Sequence, residues 1–168
     1  SVLWIDEVEK AFAVGSSDAD GGLGKRLLGG FLTWLQEHRA AVFVAATAND
    51  IAALPPELMR KGRFDEIFFV DLPNAGERAE ILRIHLSIRR QDPTRFDLDA
   101  VARAADGFSG AELEQLVVAA LYRTLYEKRQ LDTALLLATL KATVPLSISR
   151  REEIQALRSY ASGRFMNV

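Results

Sequence analysis

Val2-Leu3-Trp4-Ile5-Asp6-Glu7 is four apolar residues in a row followed by two carboxylates. A continuous apolar run of this length, rather than an alternating one, is the pattern of a strand in a parallel sheet covered by helices on both faces. Two more runs follow, Ala41-Val42-Phe43-Val44-Ala45-Ala46 and Ile67-Phe68-Phe69-Val70. Between the first two, Leu23, Leu27, Leu28, Phe31, Leu32 and Leu35 recur at helical spacing. Ser16 to Gly22 has neither period nor apolar content and reads as a mobile loop. Strands alternating with helices predict an α/β fold with a parallel sheet.

Beyond Pro73 the β pattern stops. Glu77 to Arg90 carries an apolar stripe through Ala79, Ile81, Leu82, Ile84 and Leu86, and a shorter helix near Leu98–Ala105 stops at Gly107. Ser109-Gly110-Ala111-Glu112 is a capping box that opens a long helix, Thr133 starts another, and Ser149-Arg150-Arg151-Glu152 reads as a second capping box before a last helix ending at Gly163. The chain therefore divides near Leu72-Pro73-Asn74 into residues 1–73, part of a parallel α/β domain, and residues 74–168, a small helical domain.

Composition narrows the function. The net charge is -2, from 21 Lys and Arg against 23 Asp and Glu. Residues 1–73 hold 7 basic and 11 acidic side chains and residues 74–168 hold 14 and 12, so neither part has the basic excess of a nucleic-acid binder. With 0 cysteines there is no disulfide framework and no thiolate metal site, as suits a reducing compartment. No apolar run approaches the roughly 20 residues of a membrane span.

Three stretches carry chemistry. Asp6 and Glu7 stand where a buried strand ends, the edge at which open α/β sheets bind ligands. There an Asp orients Mg2+ and a Glu polarises water in phosphoryl-transfer enzymes; the same pair would equally cap the next helix. The second run ends Ala46-Thr47-Ala48-Asn49-Asp50, whose Asn49 is placed either to hold water or phosphate or simply to form a turn. In Leu54-Pro55-Pro56-Glu57-Leu58-Met59-Arg60-Lys61-Gly62-Arg63-Phe64-Asp65, prolines open a short helix and two arginines flank a glycine. Planar guanidinium groups so spaced suit phosphate oxygens, or else a solvated loop paired to Asp65 and Glu66.

Taken together and in this order, these stretches resemble the AAA+ ATPases, in particular the AAA subgroup with paired arginine fingers. V-L-W-I-D-E is similar to a Walker B strand and A-T-A-N-D to a sensor 1. L-P-P-E-L-M-R-K-G-R-F-D is similar to an arginine-finger segment, and R-I-H-L with G-F-S-G-A-E-L to a lid. W-I-D-E-V-E-K-A-F and F-L-T-W-L-Q-E resemble an uncharacterised branch known from cyanobacteria and algal plastids. The likeness runs from Val2 to about Leu140. It implies a partial P-loop NTPase sheet followed by a helical lid, with ATP and Mg2+ as cofactors. Asp6 would support Mg2+, Glu7 would activate water, and Asn49 would sense the γ-phosphate. Arg60 and Arg63 would reach the neighbouring subunit. Ile81 and His85 would lie against the base, with Gly110 and Ala111 approaching it by their backbone; without the likeness, His85 reads as a helix-face histidine with a solvated edge. Ala111 stands where many AAA+ proteins carry a sensor 2 arginine, which the AAA subgroup commonly lacks.

No G-x-x-x-x-G-K-[ST] occurs in the chain. Gly24-Lys25-Arg26 comes nearest, but Ala19 replaces the earlier glycine and Arg26 the Mg2+-binding hydroxyl. By the resemblance, the phosphate loop, two strands and an aromatic pore loop precede Val2, and the isolated chain is inactive. It further implies ATP hydrolysis by a ring or ring-like oligomer acting on a protein partner, in the cytoplasm or, for an alga, the plastid stroma. The rival reading is a non-hydrolysing assembly or scaffolding module. The family's strand order also makes a geometric demand. The runs at Val2 and Val42 should pair in parallel, and Ile67–Val70 should not pair with Val42–Ala46, because an upstream strand separates them.

Overall fold

A computed structural model describes residues 1–12, 23–37, 41–60 and 62–167. The expected loop from Ser16 to Gly22 falls outside these, as does Lys61. The chain forms two compact units, Ser1–Phe68 and Phe69–Val168.

In the first unit β1 (Val2–Ile5) and β2 (Phe43–Ala46) pair in parallel, in a register running from Val2 opposite Phe43 to Ile5 opposite Ala46. The two apolar runs therefore lie side by side as expected. Helix α1 (Val8–Phe12) leaves β1 after a two-residue turn, and α2 (Leu23–Glu37) carries the apolar stripe. Val8, Phe12, Leu28 and Leu58 are buried, with Ile5, Phe31, Leu32, Leu35 and Ala46 packed against them. The Phe12 and Phe31 rings stack with centroids 5.2 Å apart.

Burial of these strands on both faces is not what forms. Val2, Trp4 and Phe43 are 72%, 64% and 69% exposed. A parallel strand is buried on both faces only when a helical layer covers each. The described part of this unit supplies one small cluster, which reaches Ile5 and Ala46 and leaves the residues before them open. The cluster thus fastens the strand ends that carry the polar residues.

At the boundary between the units lies β3 (Phe68–Phe69), two residues long where four were expected. It pairs with β4 (Met166–Asn167), in a sheet separate from β1 and β2. The expected lack of pairing with β2 holds among the described residues, and the strand that flanks β3 comes from this chain's own C-terminal part. With a single two-residue neighbour, Ile67 and Val70 have no ladder to join.

The remaining helices are α3 (Ala75–Ile88), α4 (Leu98–Ala104), α5 (Gly110–Glu127), α6 (Thr133–Lys141), α7 (Leu146–Ser149) and α8 (Arg151–Ala161). Leu82, Leu86, Leu113, Leu135 and Leu136 are at most 1% exposed and form the core with Val101 and Val117. Each such leucine contributes about 1.5–3 kcal/mol by burial. Ser109 and Glu112 form the expected capping box, and Asn74 with Glu77 forms another at α3. The box expected at Ser149 does not form. Ser149 is the last residue of α7 and its hydroxyl donates to the Leu146 carbonyl at 3.2 Å, so Arg150, with no capping side chain, precedes α8.

Arg78 is buried, 6% exposed. Its Nε donates to the Ala102 carbonyl at 2.8 Å and Nη1 to the Pro73 carbonyl at 2.7 Å, and Asp106 lies 3.2 Å away. One side chain thus ties the segment entering α3 to the end of α4.

Candidate active site

Parallel pairing carries on past Ile5 and Ala46. Thr47 donates its N–H to the Ile5 carbonyl at 2.9 Å, and Val8 donates to the Thr47 carbonyl at 2.8 Å. These bonds bring the polar ends of both strands to one place. Glu7 N–H donates to Thr47 Oγ1 at 3.1 Å, and the Thr47 hydroxyl donates to Asp6 Oδ1. Asn49 Nδ2 donates to Glu7 Oε1 at 2.9 Å, while the Asn49 N–H donates to Glu9 Oε1 at 3.1 Å. The structure therefore joins Asp6, Glu7 and Asn49 in a single network.

Glu7 has φ of 49°, the left-handed region. For a residue with a Cβ this costs on the order of 1–2 kcal/mol and persists only where surrounding bonds over-determine it. Here the Thr47 and Asn49 bonds do so. The second Glu7 oxygen accepts from Lys10 Nζ at 2.6 Å. That hydrogen bond, with the Glu7 charge behind it, raises the Lys10 ammonium above its ordinary value.

Glu9 is a site residue that the sequence pattern did not single out. It is only 5% exposed, with Oε1 on the Asn49 amide and Oε2 buried without a hydrogen-bond partner. A half-satisfied buried carboxylate is costly in a mere helix position. Its partner lies 40 residues away, beyond the reach of a local pattern.

Arg60 closes the 3-10 turn Pro56–Met59, donating its N–H to the Glu57 carbonyl at 3.3 Å. Gly62 holds φ of 86°, which lets the chain reverse between the two arginines. Arg63 is half-buried, with Nη1 enclosed and lacking a hydrogen-bond partner. Among the described residues no hydrogen bond or ion pair joins either arginine to Asp6, Glu7 or Asn49, nor to Asp65 or Glu66.

In the second unit, Ile81 and Gly110 come together. A Cβ built on Gly110 would lie 3.7 Å from Ile81 Cδ1. Ala111, next to Gly110 in the first turn of α5, is exposed. His85, one turn beyond Ile81, sits in a cluster with Arg89 and Glu114. Arg89 Nη2 donates to Glu114 Oε1 at 2.7 Å, Nη1 lies 3.3 Å from His85 Nδ1, and Glu114 Oε1 lies 3.7 Å from that nitrogen. The Arg89 hydrogen bond, opposed by desolvation and aided by the His85 and Arg89 charges, holds the Glu114 carboxyl below the ordinary glutamate range. Arg89 and Glu114 escaped the sequence pattern because their pairing spans 25 residues. Nδ1 faces Arg89 and Glu114, so Nε2 is the ring's other polar atom.

Two family models match this chain. The ATPase family associated with various cellular activities (AAA) matches residues 1–72, and the AAA+ lid domain matches residues 95–135. The chain is similar to the uncharacterised AAA domain-containing protein ycf46 of Pyropia yezoensis, 44% identical over 168 residues, covering 99% of this chain and 34% of that protein. Similarity to the ycf46 protein of Guillardia theta is 43% over 162 residues, 96% of this chain and 32% of that protein. The ATP-dependent zinc metalloprotease FtsH of Acidothermus cellulolyticus is 51% identical over 81 residues, 48% of this chain and 12% of that protein. The chain spans about a third of the length of the ycf46 relatives it matches. Among the described residues no helix is long and apolar enough to cross a membrane.

Proposed function

This chain belongs to the AAA family of ATPases, and on that premise we propose that it supplies the cation-holding, water-activating and base-facing groups of a module that hydrolyses ATP with Mg2+. The module works as an oligomer on a protein partner, in the cytoplasm or a plastid stroma. Residues 1–73 are the C-terminal part of its ATPase core, and residues 74–168 its lid with an extension helix.

The observation that carries this reading is the network at the ends of β1 and β2, with Glu7 held at a left-handed φ. Strain of this kind collects at functional sites, and this end of a parallel sheet is where α/β folds take ligands. The donors suit Mg2+, which prefers one or two carboxylates and leaves its other positions to phosphate and water. Thr47 engages Oδ1 of an exposed Asp6, and Oδ2 makes no hydrogen bond among the described residues. When bound, Mg-ATP brings the phosphoryl group and a cation that neutralises its charge.

Of the chain's own groups, Asp6 holds the cation and Glu7 takes a proton from the attacking water. The Asn49 amide orients that water or the terminal phosphate. Each Glu7 oxygen accepts one hydrogen bond, from Asn49 or from Lys10, and keeps a second lone pair for a proton from water. In the lid, Ile81 and bare Gly110 form an apolar wall for a base, and His85 brings Nε2 beside it. Arg60 and Arg63 act on the neighbouring subunit's phosphates.

A mixing experiment tests this, in a protein joining this chain to a phosphate-binding loop. Glu7→Gln and Arg60→Ala subunits are each inactive alone. Together they regain part of the turnover, at interfaces that combine an intact Glu7 with an intact Arg60. Mixed oligomers that form and stay inactive refute action of the arginine in trans.

A further inference from the structure

The segment after α6 meets the turn Gly107–Glu112 at two points. Leu146, the first residue of α7, donates its N–H to Glu112 Oε1 at 2.7 Å. Gly107 has φ of 77°, and a Cβ built on it would stand 2.2 Å from Ser147 Oγ and 3.1 Å from Ser147 Cβ. A side chain at Gly107 would be strained by that φ and would press on Ser147. The other oxygen of Glu112 is already committed: Oε2 accepts the Ser109 N–H and the Ser109 hydroxyl, both at 2.8 Å. One carboxylate therefore does two jobs, capping α5 with one oxygen and gripping α7 with the other. Capping needs no second partner 34 residues away.

We infer that Glu112 is a positioning residue that fastens Leu146–Ser149 onto the turn bearing Gly110 and Ala111, making this C-terminal segment a supporting wall of the base-facing site. The inference rests on the role proposed above for Gly110 and Ala111. The segment is anchored at its far end too. Arg158 Nε donates to both oxygens of Asp71, at 3.0 and 2.8 Å, and β4 pairs with β3. Residues 146–167 thus run as a strap from the base-facing turn to the segment that leads into α3.

Two substitutions separate the grip from the cap. Glu112→Gln leaves an amide oxygen for Ser109, since capping boxes accept Gln as well as Glu, but turns an NH2 donor toward the Leu146 N–H. Leu146→Pro removes the donor from the opposite side, at a first helical position where Pro is tolerated. Hydrogen exchange of the 168-residue chain followed by mass spectrometry reads the outcome. Each variant should speed exchange of the α7 amides Ile148–Arg150 by about five- to tenfold, less than a buried hydrogen bond to a charged group would give because this one is exposed. Exchange of α5 from Leu113 to Ala120 should stay unchanged. The double variant should be no faster than either single one, because both remove the same bond. Unchanged α7 exchange in both variants overturns the inference, and so does loosening of α5 in step with α7, which reduces Glu112 to a cap. Nucleotide takes no part in this measurement. In a protein joining this chain to a phosphate-binding loop, Glu112→Gln should also raise KM for ATP more than it lowers kcat and weaken discrimination against GTP. If α7 loosens but base discrimination is untouched, the base-facing role of Gly110 and Ala111 fails while the fastening stands.

Discussion

Replacing Arg78 by Met keeps the aliphatic stem and removes the guanidinium. The residue is 6% exposed and donates to the Ala102 carbonyl, within a buried bond, and to the Pro73 carbonyl, within a half-buried one. Hydrogen bonds to a charged group are each worth about 1.5–3 kcal/mol net when one partner is left unsatisfied. The Asp106 contact adds little, because that carboxylate is 87% exposed. Relief of the cost of burying the cation works the other way. The balance is a loss of about 3 kcal/mol, confined to the second unit. Arg78→Lys, which reaches one carbonyl at most, should lose about half as much. Urea denaturation resolves the two units, because both tryptophans, Trp4 and Trp34, lie in the first and most helix lies in the second. With a slope of about 1 kcal/mol per M for a unit of this size, the far-ultraviolet dichroism midpoint of Arg78→Met should fall by roughly 2–3 M. Tryptophan fluorescence should hold its midpoint. An unmoved dichroism midpoint, or equal movement of both signals, refutes the argument.

Two further outcomes are expected. Isothermal titration of the 168-residue chain with Mg-ATP should give a dissociation constant weaker than micromolar, because its sequence lacks the G-x-x-x-x-G-K-[ST] motif whose backbone and lysine hold the phosphates; micromolar or tighter binding contradicts this. Asp132 caps α6 through the Leu135 N–H, and that bond, with Arg129, holds its carboxyl below the ordinary aspartate value despite slight desolvation. Its stabilisation is present above the unfolded-state value and is lost as pH falls through the lower folded one, so α6 amide protection should drop in acid. Asp132→Asn, which still caps, should flatten that dependence.

What the sequence made legible is what depends on neighbours along the chain. A run of apolar residues ending in Asp6-Glu7 announced a strand end, and Ser109-x-x-Glu112 announced a helix start. Asn49 was legible as a polar strand tip, although its bond to Glu7 spans 42 residues. Glu9, Arg78 and Glu114 were not. Each takes its meaning from a partner far along the chain: Asn49, Ala102 and Arg89 respectively. The box at Ser149 misled because α7 claimed that hydroxyl for its own last turn. Strand burial misled for a different reason. Apolar content says that a face wants cover, while the cover itself is a matter of what packs there.

The most direct test of the account is single-turnover hydrolysis of Mg-ATP by Glu7→Gln in a protein joining this chain to a phosphate-binding loop. The substitution keeps size and the Asn49 contact and removes the base, together with the bond to the exposed Lys10. Nucleotide affinity should be unchanged while the chemical step slows about 10²–10⁴-fold. Hydrolysis at the unsubstituted rate, with affinity unchanged, would contradict the assignment of Glu7 and the network around it.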